Sequence, residues 1–126
     1  MLTNSKLKSY LGFSIKSNKV IFGIDNLEAT KKPVQLVICC NTIAENSFKK
    51  LSFLCYRNDW TLVQTTKSTI AEMIKRENCK IIGILDSNLA KAIKTQENEI
   101  KIINCEEIHW VTKKVKIQIK IHLLKI

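Results

Sequence analysis

A chain of 126 residues with 45% hydrophobic content, three glycines and one proline is long enough to bury one core and too apolar to be a disordered or collagen-like segment. Lys and Arg outnumber Asp and Glu by 21 to 11, giving a formal charge of +10. An excess of this size repels itself in the folded state and serves a polyanion, with nucleic acid ahead of an anionic membrane. No stretch approaches the ~20 apolar residues of a membrane span. Residues 1–17 lack the apolar core and small-residue cleavage site of a secretory signal, so a cytoplasmic location is the expectation.

Taken in order, Leu7, Tyr10, Leu11, Ser14 and Ile15 fall at helical spacing with Lys6, Lys8 and Lys16 opposite them, which predicts a helix over 6–16. Ser5 or Asn4 is its cap. After a turn at Ser17-Asn18, Val20-Ile21-Phe22 reads as a short strand. Gly23-Ile24-Asp25-Asn26 opens a second helix, which must stop before Pro33. Residues 34–40 form an apolar run closing on Asn41. The run 80–85 repeats that grammar and closes on Asp86-Ser87. Strands apolar on both faces must be covered on both faces. Helix 45–57 follows the first run and buries Phe48, Leu51, Leu54 and Cys55. Trp60 to Gln64 is a strand, Thr65-Thr66-Lys67-Ser68 a loop, and Thr69-x-x-Glu72 a capping box before a helix burying Ile70, Met73 and Ile74. Helix 87–94 follows the second run, with Asp86 as its N-cap.

Alternating helices and strands predict an α/β domain, a three-layer α/β/α sandwich around a mixed four-stranded sheet spanning 1–98. Residues 99–126 read as a basic extension. Within it Val115, Ile117, Ile119, Ile121 and Leu123 alternate with Lys116, Gln118, Lys120 and His122, the pattern of a half-exposed strand. A basic edge strand or arm and an extension outside the fold both fit. As a strand it offers a protein-interaction alternative: pairing with a partner or a second copy.

Cys39, Cys40, Cys55, Cys79 and Cys105 form an odd set without a C-x-x-C pair, and His109 and His122 lie far along the chain from any cysteine pair. Reduced, buried thiols are expected, and no metal site. Cys39 and Cys40 are neighbours in a strand and point to opposite faces. There is no P-loop and no G-x-S-x-G, and Asp25, Asp59 and Asp86 sit at turns or caps, so neither a cofactor nor catalysis is expected.

Four segments carry a resemblance. They are Leu11-Gly12-Phe13-Ser14-Ile15-Lys16 with Lys19-Val20-Ile21-Phe22-Gly23, then Gln35-Leu36-Val37-Ile38, then Glu45-Asn46-Ser47-Phe48-Lys49-Lys50-Leu51, and finally Ile82-Gly83-Ile84-Leu85-Asp86-Ser87-Asn88-Leu89-Ala90-Lys91-Ala92-Ile93. From about Lys6 to Lys94 the chain resembles the kink-turn RNA-binding family of ribosomal proteins, which includes L-seven-Ae and L-thirty-e, and within it the bacterial YlxQ-type branch. The resemblance implies a non-enzymatic protein that binds structured RNA, such as ribosomal RNA, through a glycine-led helix start and a nearby loop. Gly23 matches the glycine, and Asp25-Asn26 stand where the family carries Asn-Glu. Thr65 to Ala71, with Thr66, Lys67 and Ser68, matches the loop. Ala29 stands at the family's helix lysine, with Lys31 and Lys32 the nearest substitutes, and Ile24 replaces a small polar residue.

The chemistry of these residues is separable from the resemblance. Gly23 is either a close-approach glycine or a plain turn glycine. Asp25 suits a helix N-cap better than a phosphate contact, whereas the Asn26 amide suits a base edge. Lys16, Lys19, Lys31, Lys32 and Lys67 are expected to gather at one end of the sheet as a phosphate-binding patch. Self-association through the tail and docking on the ribosome complete the expected partners.

Overall fold

Residues 5–103 are described in the computed structural model; the alternating segment 115–123, with its strand, arm and extension readings, lies outside them. Helix α1 (Lys6–Lys16) is followed by β1 (Val20–Phe22), α2 (Ile24–Ala29), β2 (Leu36–Cys39), α3 (Glu45–Asn58), β3 (Leu62–Thr65), α4 (Ile70–Ile74), β4 (Ile81–Ile84), α5 (Ser87–Lys94) and β5 (Ile100–Ile103). One mixed sheet runs β1-β4-β2-β3-β5. β2 and β3 are parallel across α3, and the other neighbours are antiparallel. The α/β class therefore holds, but among the described residues the sheet has five strands where four were expected. β5 escapes the sequence because only Ile100 of its four residues is buried, while Lys101 and Ile102 are exposed. An edge strand of this kind has neither an apolar run nor an alternation to announce it.

The runs that predicted two-sided burial are buried at every position of β2 and β4. Leu36, Ile38 and Cys40 join Leu7, Leu11, Ile70, Met73 and Ile93 in one core cluster. Val37 and Cys39 join Leu27, Leu51, Leu54 and Cys55 in the other. One face of the sheet thus packs side chains of α1, α4 and α5, the other those of α2 and α3. Cys39 and Cys40 do separate to opposite faces, and with Cys55 and Cys79 they are buried. Gly83 lets α2 sit close to the sheet, since a Cβ there would lie 2.6 Å from Leu27 Cδ2.

Local signals set the helix ends. Ser5 accepts from the Lys8 N–H at 3.1 Å, and Asp86 accepts from the Leu89 N–H at 3.0 Å. Thr69 and Glu72 close both bonds of the predicted capping box. Replacing Thr69 by alanine is expected to cost about 1 kcal/mol, read as a lowered urea midpoint at unchanged slope. The α1 start is further tied to the residue just ahead of β5. Ser5 Oγ donates to Glu99 Oε1 at 2.5 Å and the Leu7 N–H to Glu99 Oε2 at 3.3 Å.

These pairings give the sheet two rims. β1, β2 and β3 end at the rim where β4 and β5 begin, called the upper rim below. The lower rim is where β1, β2 and β3 begin. No helix among the described residues is long and apolar enough to cross a membrane.

Candidate nucleic-acid interface

At the upper rim, β1 ends at Gly23, whose N–H donates to the Ile81 carbonyl at 3.1 Å. Its φ of 84° and ψ of 157° lie in a region that L side chains essentially do not occupy. A Cβ built there meets nothing within 4 Å. The backbone itself therefore requires the glycine, and the space beside it is open, so turn geometry and close approach coexist at this residue. Gly23→Ala is expected to destabilise the fold by about 1–3 kcal/mol through backbone strain alone, measured by chemical denaturation.

Gly23, and not Asp25, is the N-cap of α2; Asp25 lies exposed in the first turn. Asn26 is exposed, and its amide donates to the Phe22 carbonyl at 2.8 Å. That bond fixes the direction of the side chain at the helix start.

Beside Gly23 runs the segment Lys75–Lys80, which sequence reasoning passed over. α4 stops at Ile74 because Lys75 adopts a left-handed φ of 57°, and Asn78 repeats the turn at 63°. The two bends bring Arg76 back over β1, with its guanidinium carbon 4.1 Å from the centroid of the Phe22 ring. Lys80 reaches across to the end of β2 and donates to Thr42 Oγ1 at 2.6 Å. Two adjoining cavities follow from this path. One, of about 220 Å³, is lined by Phe22, Gly23, Arg76, Asn78 and Lys80 among others. The other, of about 330 Å³, is lined by Gly23, Thr42, Ala44, Ser47, Asn78 and Lys80 among others.

The second cavity also receives the start of α3. Its N-cap is Ala44, with no side-chain cap, so the first-turn N–H groups need another acceptor. Over a helix of 14 residues the positive end of the macrodipole adds to their pull on an anion. Glu45 in that turn pairs with Lys49 at 3.5 Å. A cation, an uncapped helix start and a glycine backbone therefore meet around one opening, which is the chemistry of phosphate binding.

Cys40 lies beside Thr42, its sulfur 3.1 Å from the hydroxyl oxygen. Burial alone would raise its thiol. The Thr42 hydroxyl and backbone, the Ile70 N–H and the charge of Lys80 outweigh that and hold it below the usual thiol value. The Ile70 N–H lies 3.4 Å from the sulfur. Burial pushes the neighbouring Cys79 thiol up.

The expected loop is present at the same rim but is partly committed to the fold. The Thr66 N–H donates to the Glu99 carbonyl at 2.9 Å and its hydroxyl to the Asn98 carbonyl at 3.3 Å. Lys67 is exposed and Ser68 half-buried.

The expected single lysine patch does not form. Lys16 and Lys19 precede β1, and the Lys19 carbonyl accepts from the Leu85 N–H at 2.9 Å at the end of β4. Lys31 and Lys32 lie in the return from α2 to β2, just ahead of Gln35, whose N–H bonds the Ile84 carbonyl at 2.8 Å. All four are exposed at the lower rim, while Lys67 is at the upper. The reason is topological: α2 carries the chain back along the sheet between two strands that run in the same direction. Gly23, Asp25, Asn26, Thr66, Lys67 and Ser68 are thus brought to one rim, and Lys16, Lys19, Lys31 and Lys32 to the other. Arg76, Asn78 and Lys80 complete the upper set. Their only sequence signal was a polar, basic stretch between a short helix and a buried strand. No model of a known protein family matches the chain, and no curated protein is significantly similar to it.

Proposed function

We propose that this chain is a non-enzymatic RNA-binding protein of the ribosomal-protein type that recognises structured RNA at the upper rim. The observation that carries the reading is the convergence of Gly23, Arg76, Lys80 and the uncapped start of α3 on two adjoining cavities. The finer architectural reading, a three-layer α/β/α sandwich, is supported by the two core clusters on opposite sheet faces. In this reading Lys80 and the α3 N–H groups hold phosphate. The Asn26 amide reads a base edge, and the Gly23 backbone admits the bend of the RNA. The lower-rim lysines Lys16, Lys19, Lys31 and Lys32 add long-range attraction without selecting a target. A cytoplasmic, ribosome-associated setting follows from the same reading.

The test is an electrophoretic shift series at fixed salt with a kink-turn RNA, a straight duplex and a single strand. The kink-turn RNA is expected to bind tightest. Equal affinity for the bent RNA and the straight duplex would remove the shape-selective part of the proposal. In the same assay, Lys31→Ala with Lys32→Ala is expected to weaken all three RNAs alike and to flatten the salt dependence. A loss confined to the kink-turn RNA would move the selective site to the lower rim.

A further inference from the structure

Among the described residues four large hydrophobic side chains stay exposed, and two of them, Phe53 at 37% and Tyr56 at 45%, are neighbours on α3. The inner face of α3 is taken by Leu51, Leu54 and Cys55. On the outer face Phe53 has Lys49 and Lys50 one turn before it and Tyr56 and Arg57 one turn after, all at the i±3 and i±4 positions that touch along a helix. The Arg57 guanidinium carbon lies 5.4 Å from the Phe53 ring centroid. Lys50 and Arg57 are exposed and Lys49 is half-buried, and the carboxylate of Glu45 lies at one end of the stripe, on Lys49.

We infer that the outer face of α3 is a second binding surface, for single-stranded nucleic acid, in which bases stack on Phe53 and Tyr56 while Lys49, Lys50 and Arg57 hold the phosphates. The inference rests on the RNA-binding reading and adds a ligand class to it. Two planar rings one turn apart, framed by three cations, offer both things that a single strand presents, a π-face and a charge at every nucleotide. A duplex keeps its bases inside the stack and leaves the rings unused; an acidic peptide answers the cations but has no ring for the aromatics. The surface is also continuous with the upper rim, because α3 starts there at Ala44 and Ser47, which line the cavity beside Gly23. A single strand leaving a structured RNA bound at that rim meets this face next.

The test uses the full chain with a labelled oligouridine and an oligoadenosine of equal length, followed by fluorescence anisotropy at low salt. Both oligonucleotides are expected to bind, and Phe53→Ala and Tyr56→Ala each to weaken binding about 5- to 100-fold, the range for loss of one stacked base. Tyr56→Phe is expected to retain it, because stacking needs the ring and not the hydroxyl. In the wild-type chain the oligonucleotide is expected to slow nitration of Tyr56 relative to Tyr10, which decides the matter if an alanine variant fails to fold.

Wild-type affinity in folded alanine variants, absence of protection at Tyr56, or tighter binding of polyglutamate than of either oligonucleotide each overturns the inference. Binding of structured RNA without binding of single strands overturns this surface alone. Failure of every RNA to bind overturns the RNA-binding reading with it.

Discussion

Replacing Arg76 and Lys80 together by alanine is expected to weaken binding of structured RNA by about 10- to 100-fold, the loss of two exposed charge contacts of about 1 kcal/mol each. The slope of log K against log salt is expected to become shallower by about 1.4–1.8, as two fewer counterions are released. Both side chains stand at the rim with Gly23. Arg76 lies over Phe22, and Lys80 bridges to Thr42 at the end of β2. Neither lies in the core: both are exposed, and the cation–π contact contributes about 0.5–1 kcal/mol at an open site. Circular dichroism and the melting temperature are therefore expected to stay close to wild type, so a fall in affinity reports the interface and not the fold. The measurement is a titration of one structured RNA at several salt concentrations. Unchanged affinity and an unchanged slope would place the RNA elsewhere on the surface.

Gly83→Val is expected to produce the larger change in stability, about 2 kcal/mol, seen as a fall of about 10 °C in Tm for a domain of this size. Gly83 is central in the sheet, on β4 between β1 and β2, facing Ile21 and Val37 across the ladders. A Cβ at this position would stand 2.6 Å from Leu27 Cδ2, and Leu27 is fully buried. The leucine has little room to turn away, so α2 must lift from the sheet. Because α2 begins at Gly23, the same substitution is also expected to move the helix start. A stability loss accompanied by weaker RNA binding at a temperature where the protein remains folded would report that displacement. Binding that stays intact would mean that Leu27 absorbs the clash by itself.

The sequence made some of this legible and hid the rest for identifiable reasons. β2 and β4 were readable because a strand covered on both faces needs an unbroken apolar run, and Leu36 to Cys39 and Ile81 to Ile84 supply one. The caps at Ser5, Thr69 and Asp86 were readable because a side-chain cap is a local interaction with a fixed spacing. Asn41 resembled Asp86 in position but does not cap: its N–H donates to the Thr65 hydroxyl oxygen at 3.0 Å, and the N-cap of α3 comes three residues later at Ala44. β5 was hidden because its strand character comes from pairing with Leu62 to Thr65 and not from its own composition.

The candidate site was half legible. Gly23 and the 66–68 loop were legible because a glycine at a strand end and a polar stretch ahead of a capping box are local signals. Lys31 and Lys32 lie at the other rim because nearness along the chain to Gly23 is not nearness in space. Six helical residues suffice to carry the chain from one rim toward the other. Arg76 and Lys80 were missed for the converse reason. Their positions depend on the left-handed turns at Lys75 and Asn78, which neither a lysine nor an asparagine announces.

The bond between the start of α1 and Glu99 sets an order of events during synthesis. Ser5 and Glu99 are bonded across 94 positions of the chain, and Glu99 also holds the first-turn N–H of Leu7. Among the described helices, the first to be made is therefore the last to be finished at its N-terminus, since its outside partner follows only when nearly the whole sheet has been made. Until then Leu7 and Leu11 lack the Ile100 side of their cluster. Released chains truncated before residue 99 are expected to remain open to protease at α1, and chains extended past 103 to become resistant in one step.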